Sequence, residues 1–264
     1  MRLTLDTIVL GVPRVEDARG FYASAFSLPT PSDGAALDLH GAGHLAVQQI
    51  DALAAVVGAT PATSGFRGFV VGAILEQPGA VRDRLDAASE HGAEIVKPAK
   101  KQLFGEFTAA YRAPDGAVWK LAAASNKDAG TVPSTPKPTE TAIYLGVASP
   151  KAAKSFYESL GMGVDRDYGD KFVDFTVTDG VSRLGLLPRK GIAKDVGGDS
   201  QGDGFAAVVL THTAPSSETV DALLTAAAAA GGRIVSEAIR TDGGAYAGYF
   251  ADLDGFHWKV TTGR

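Results

Sequence analysis

Two lysines stand where this chain could do chemistry: Lys120 in VWKL and Lys259 in HWKV, each directly after a tryptophan. Side chains in a strand alternate between faces, so each lysine points away from its tryptophan, whose face Leu121 or Val260 shares. The tryptophan face reads as core. The opposite face carries an ammonium, which either reaches solvent along its apolar stem or needs an anion. Asp38 and Asp174 are internal candidates, since they match between the two halves and alternate with Leu37 and Leu39 or with Val173 and Phe175. The external candidate is a carboxylate, phosphate or enolate of a ligand. His257 lies two residues before Lys259 and so on its face, and His212 could approach that face from a neighbouring strand. Phe66, Phe205 and Tyr246 fall on segments able to wall an apolar site.

Other chemistries find no support. The five histidines, His40, His44, His91, His212 and His257, read as polar residues near strand ends and turns rather than as a metal cluster. Zero cysteines exclude disulfides, thiolate catalysis and thiolate metal sites. GGAYAG lacks the Lys-Ser or Lys-Thr of a phosphate loop, and DLDG at 252–255 is too short for a calcium loop. With 25 basic and 30 acidic residues the net charge is −5, so nucleic acid is not an expected partner. No apolar run approaches the roughly 18 residues of a membrane span. No signal-like segment is read at the start, and the expected compartment is the cytoplasm.

The elements that must position these residues occur twice. Gly11, Val12, Phe21 and Tyr22 recur as Gly146, Val147, Phe156 and Tyr157; Gly92, Asp115, Gly116, Trp119 and Lys120 recur as Gly231, Asp254, Gly255, Trp258 and Lys259. Residues 125–139, SNKDAGTVPSTPKPT, are polar with three prolines and read as a linker between halves 1–124 and 140–264. Each half is large enough to bury roughly two thirds of its unfolded surface. Each reads as strand, helix and short strands, followed by strand, helix and three strands. The stretch 189–204, RKGIAKDVGGDSQGDG, reads as a mobile loop whose counterpart lies around 57–65.

That order, with LGVPRVEDARGFY and LGVASPKAAKSFY at the openings and GGAYAGYFADLDGFHWKV at the close, resembles the glyoxalase, bleomycin-resistance and extradiol-dioxygenase superfamily, also called vicinal oxygen chelate proteins. The resemblance implies an α+β fold of four βαβββ-type modules forming two glyoxalase-like domains, with the lysine faces lining cup-shaped cavities. It implies metal-ligand positions at Thr7, Phe66 and Lys120 and at Ala142, Phe205 and Lys259, none a usual ligand, so neither a metal nor another cofactor is expected. The halves are expected to pair within one monomeric chain as a pseudo-dimer. The leading expectation is a metal-free binder of a small anionic or aromatic molecule, of the sequestration or resistance type, with site residues Lys120, Lys259, His257, His212, Phe66, Phe205, Tyr246, Asp38 and Asp174. The alternative is a metal-independent lyase or isomerase using a cavity lysine; a metal-dependent glyoxalase or dioxygenase comes last.

Overall fold

The fold is taken from a computed structural model, which describes residues 2–29, 36–61, 63–102 and 105–263. Module one comprises β1 (Thr7–Val12), α1 (Val15–Phe26), β2 (Leu37–Asp38) and β3 (His44–Gln49), and is followed by α2 (Ile50–Val56) and β4 (Thr63–Gly65). Module two comprises β5 (Phe69–Leu75), α3 (Pro78–Glu90), β6 (Glu94–Lys101), β7 (Phe107–Arg112) and β8 (Val118–Ala123). The second half repeats the order. Module three is β9 (Pro138–Val147), α4 (Pro150–Ser159), β10 (Val164–Asp167), β11 (Val173–Phe175) and β12 (Arg183–Pro188), followed by α5 (Arg189–Asp195) and β13 (Gly202–Gly204). Module four is β14 (Val208–Ala214), α6 (Ser217–Ala229), β15 (Arg233–Arg240), β16 (Tyr246–Ala251) and β17 (His257–Thr262).

The sheets do not follow the sequence halves. Sheet one runs β15-β16-β17-β14-β1-β3-β2 and joins module four to module one; sheet two runs β10-β11-β12-β9-β5-β8-β7-β6 and joins module three to module two. Antiparallel pairings make the joins, with Thr7 opposite Thr211 in sheet one and Gly72 opposite Ala142 in sheet two. The repeat divides the chain at the linker, and each sheet takes one module from either side of it. The linker is shorter than its composition suggested, because Pro138 and Thr139 already belong to β9. Proline is tolerated as the first residue of a strand, where its missing N–H breaks no interior ladder.

Helices cover one face of each sheet for local reasons. Ser149 caps α4 by accepting the Ala152 N–H at 3.3 Å, Pro150 fills the first turn, and Ala153, Phe156 and Tyr157 are buried. Ser216 caps α6 in the same way, and Gly231 after its end takes φ of 97°. Against these helices lie Trp119 and Trp258, both fully buried as the alternation requires. Each ends a matching chain. Trp119 Nε1 donates to the Tyr22 hydroxyl at 3.4 Å, which donates to Asp115 at 2.7 Å; Trp258 Nε1 donates to Tyr157 at 3.2 Å, which donates to Asp252 at 2.6 Å. Burial raises both phenols well above their usual range and pushes the Asp252 carboxyl up to about 6.

The stretch 189–204 is ordered structure, contrary to the loop expected. Ile192, Ala193 and Val196 sit at helical spacing and are buried, which holds α5 in place, while Gly202–Gly204 pairs with Thr63–Gly65 as a two-stranded ribbon. High glycine and charge content hid this short apolar stripe.

The two Trp–Tyr–Asp chains, the second ending on Asp252 rather than on Asp254, the repeat partner of Asp115, set a stability expectation. Tyr22→Phe and Tyr157→Phe each remove a hydrogen bond to a buried carboxylate, and each should cost about 1–3 kcal/mol in urea unfolding. Equal stability of wild type and both variants would show that these chains contribute nothing.

Candidate functional site

On the face of sheet two opposite Trp119, the register sets Lys120 level with Gly72, Gly72 with Ala142, and Ala142 with Arg183. This row crosses a cavity of about 850 Å³. Tyr144, one step further along β9, lies flat between two strands: a Cβ on Gly72 would come within 2.7 Å of its ring and one on Gly185 within 2.6 Å. The two glycines make room for the ring. Burial, with the nearby Glu140 charge, pushes the Tyr144 hydroxyl up to about 12. Val70, Ile74, Ala122, Phe172, Leu187 and Ile192 belong to the apolar lining.

The cations around this apolar base are paired. Arg183 donates to Glu140 at 2.7 and 2.8 Å and to Asp165 at 2.7 Å, and the Glu140 bonds raise its already high pKa. Arg166 grips Asp174 through both Nε and Nη2. Lys120 meets Asp195 at 2.6 Å. Asp195 arrives on α5, which packs Ile192 and Ala193 with Val70, Ala110 and Val118 over the same sheet. Lys97 donates to the carbonyls of Lys194 and Asp195 at the end of that helix.

Sheet one holds the corresponding face more tightly. Lys259 is level with Thr211 and Thr211 with Thr7, and Tyr249 lies beside Lys259 on the next strand. The cavity there is only about 200 Å³, and Leu53 and Ala54 of α2 pack beside it with Phe205, Ala207 and Val209. Thr211 Oγ1 is buried without a hydrogen-bond partner.

The expected site residues divide between these places. Lys120 and Lys259 occupy equivalent positions on the two faces, as alternation required. Neither expected carboxylate serves them as foreseen: Asp174 belongs to Arg166 and Arg183, and Asp38 lies at the far edge of sheet one, accepting the Gly41 N–H at 2.6 Å. His212 does not share Lys259's face. It is level with Val260, accepts the Thr4 N–H at 3.2 Å and lies 3.5 Å from Asp6, with its pKa lowered by burial. Tyr246 faces α6, donating to Asp221 at 3.0 Å; Tyr249 takes the cup position instead. Phe66 and Phe205 precede β5 and β14 and, with His257, line a third cavity where the halves meet. The missed residues had weak signals: Tyr144 shares parity with Ala142, and Asp195 follows the helical stripe of α5.

The register also corrects the metal positions. The residues between opening and closing strands are Gly72 and Thr211, not Phe66 and Phe205, which lie ahead of the strands. The sets become Ala142, Gly72 and Lys120, and Thr7, Thr211 and Lys259. A hydrogen, a methyl, two hydroxyls and two ammoniums do not fit a divalent metal. Among the described residues no group of three or more His, Asp or Glu could hold one.

Comparison with known proteins agrees with this architecture. Residues 140–260, the second repeat of the chain, match the model of the Glyoxalase/Bleomycin resistance protein/Dioxygenase superfamily. Glyoxalase I from Zea mays, as its V278E mutant, is 18% identical with a TM-score of 0.64, the match covering 99% of this chain and 92% of that one. A putative dioxygenase from Bacillus subtilis is 14% identical with a TM-score of 0.63, covering 99% of this chain and 86% of that one. At these identities the likeness is one of fold. No curated protein shows significant similarity to the chain. No helix among the described residues is long and apolar enough to cross a membrane.

Two outcomes are expected of the purified protein. Elemental analysis should find no stoichiometric iron, zinc, nickel or manganese, and one equivalent of any would contradict the donor sets above. His257, whose pKa burial lowers to about 4, stays neutral in the fold while the unfolded chain protonates near 6.5. Its contribution to stability is therefore present above about pH 6.5 and lost as pH falls toward 4. The melting temperature of His257→Asn should fall less than that of wild type across this window; parallel curves would refute it.

Proposed function

We propose that the chain is a metal-free binder of a planar aromatic molecule, held in the sheet-two cup and acting in the cytoplasm by sequestration rather than conversion. The observation that carries this reading is Tyr144, laid flat between Gly72 and Gly185 at the base of a cavity of about 850 Å³. That volume suits a drug-sized ligand, and a tyrosine ring in the lining favours an aromatic one by about 0.5–1.5 kcal/mol beyond area burial. Of the two ligand types expected from sequence, aromatic has the better support. Glu106, Glu140, Asp165 and Asp195 outnumber Lys120, Arg166 and Arg183 around the cavity, so a free anion gains little there.

The enzyme alternative has less to draw on. Lys120 as an enolate-binding or basic group would first have to leave Asp195, its partner at 2.6 Å. A fluorescence titration with 9-aminoacridine, a planar aromatic cation, tests the binding reading. Binding should weaken by several-fold in Tyr144→Ala and disappear in Ala122→Trp, which fills the cup. Affinity unchanged in both variants would sink the proposal.

A further inference from the structure

Where the two halves meet, a third cavity of about 520 Å³ opens between the cups. Its walls come from segments that neither lysine row uses: the β4–β13 ribbon, the residues just ahead of β5 and β14, and the turn at 254–257. The ribbon is packed backbone to backbone. A Cβ on Gly202 would lie 2.3 Å from the Phe66 carbonyl, and one on Gly65 2.3 Å from that of Gln201. This wall is therefore fixed by contacts that admit only glycine.

Two arginines, Arg67 and Arg189, line this cavity, and among the described residues neither has a carboxylate within ion-pairing distance. Arg189 is held by carbonyls alone: Nε donates to Ser200 at 3.1 Å, and Nη2 to Phe66 at 2.7 Å and Gly202 at 3.2 Å. Its Nη1 has no hydrogen-bond partner among the described residues. Arg67 donates from Nη2 to the Asp115 carbonyl at 2.7 Å, and its Nη1 is sealed without a partner. Asp203 and Asp254 line the same cavity but form no ion pair with either arginine: Asp254 accepts the Ala148 N–H at 2.7 Å, and Asp203 is exposed on the ribbon. Partly buried cations so placed call for an anion. The neighbouring walls are aromatic: Phe66, 5.5 Å beneath the Arg189 guanidinium, and Phe205, edge-on to His257 at 5.9 Å. The repeat does not account for this charge, because Ile50 opens α2 where Arg189 opens α5, and Ala206 follows Phe205 where Arg67 follows Phe66.

We propose that this seam cavity is a second binding site, for an aromatic carboxylate whose ring lies against Phe66 and Phe205 and whose carboxylate takes the free N–H groups of Arg189. Arg67 adds positive charge without needing direct contact. The site is separate from the cup and differs from it in charge arrangement: each cation of the cup meets a carboxylate, while here two guanidiniums are met only by carbonyls.

Calorimetric titration of the full chain with 2-naphthoate and with naphthalene-2-carboxamide, the same shape without the charge, tests this directly. The acid should bind about ten-fold or more tightly than the amide, and Arg189→Met should reduce its affinity by a similar factor. Because Arg189 also braces the ribbon, Thr60→Trp provides a second test, placing bulk on the exposed wall with every charge intact. It should abolish naphthoate binding. Equal affinity for acid and amide, no binding of either, or binding that survives Thr60→Trp but is lost in Ala122→Trp would overturn the proposal. Failure of 9-aminoacridine to bind would bear on the cup alone.

Discussion

Everything in this molecule depends on two antiparallel strand pairings, β1 with β14 and β5 with β9, that tie each sequence half to the other. Without them each sheet would end in a long unpaired edge, with apolar residues of the core beside it. Neither cup could form within one half, because its row of residues crosses the join: Lys120 and Gly72 come from one half, Ala142 and Arg183 from the other. Duplication within one chain makes this pairing intramolecular. It also frees the copies to diverge, since each cup is encoded separately.

That divergence explains the difference between the cups. Each face carries a helix, with Leu53 and Ala54 of α2 on sheet one and Ile192 and Ala193 of α5 on sheet two; about 200 Å³ remains where Thr211 stands in sheet one and about 850 Å³ where Gly72 holds its place in sheet two. Paired charges edge the larger cup, while unpaired arginines gather at the seam. A single chain thus presents two cavities of different volume and different charge arrangement, which is the physical basis for assigning them different ligands.

The repeat, the fold and the tryptophan faces were legible because they rest on local periodicity. Alternation alone placed Trp119 and Trp258 in the core and turned Lys120 and Lys259 to the other side. Assignments that needed register across strands fared worse. His212 and Tyr246 lie one step out of parity with the cup, and Phe66 and Phe205 precede the strands on which they were expected. Partners were least legible of all. Asp195 reaches Lys120 only because a glycine-rich stretch folds into α5, and Asp174 is claimed by arginines that sequence spacing did not single out.

The central claim, that the sheet-two cup holds a planar aromatic guest without a metal, is most directly tested by native mass spectrometry of the protein purified gently from cells. The account predicts a single organic molecule with an aromatic chromophore, one per chain, absent from the same preparation of Ala122→Trp. A chain carrying no organic guest, or a guest retained in full by Ala122→Trp, would contradict it.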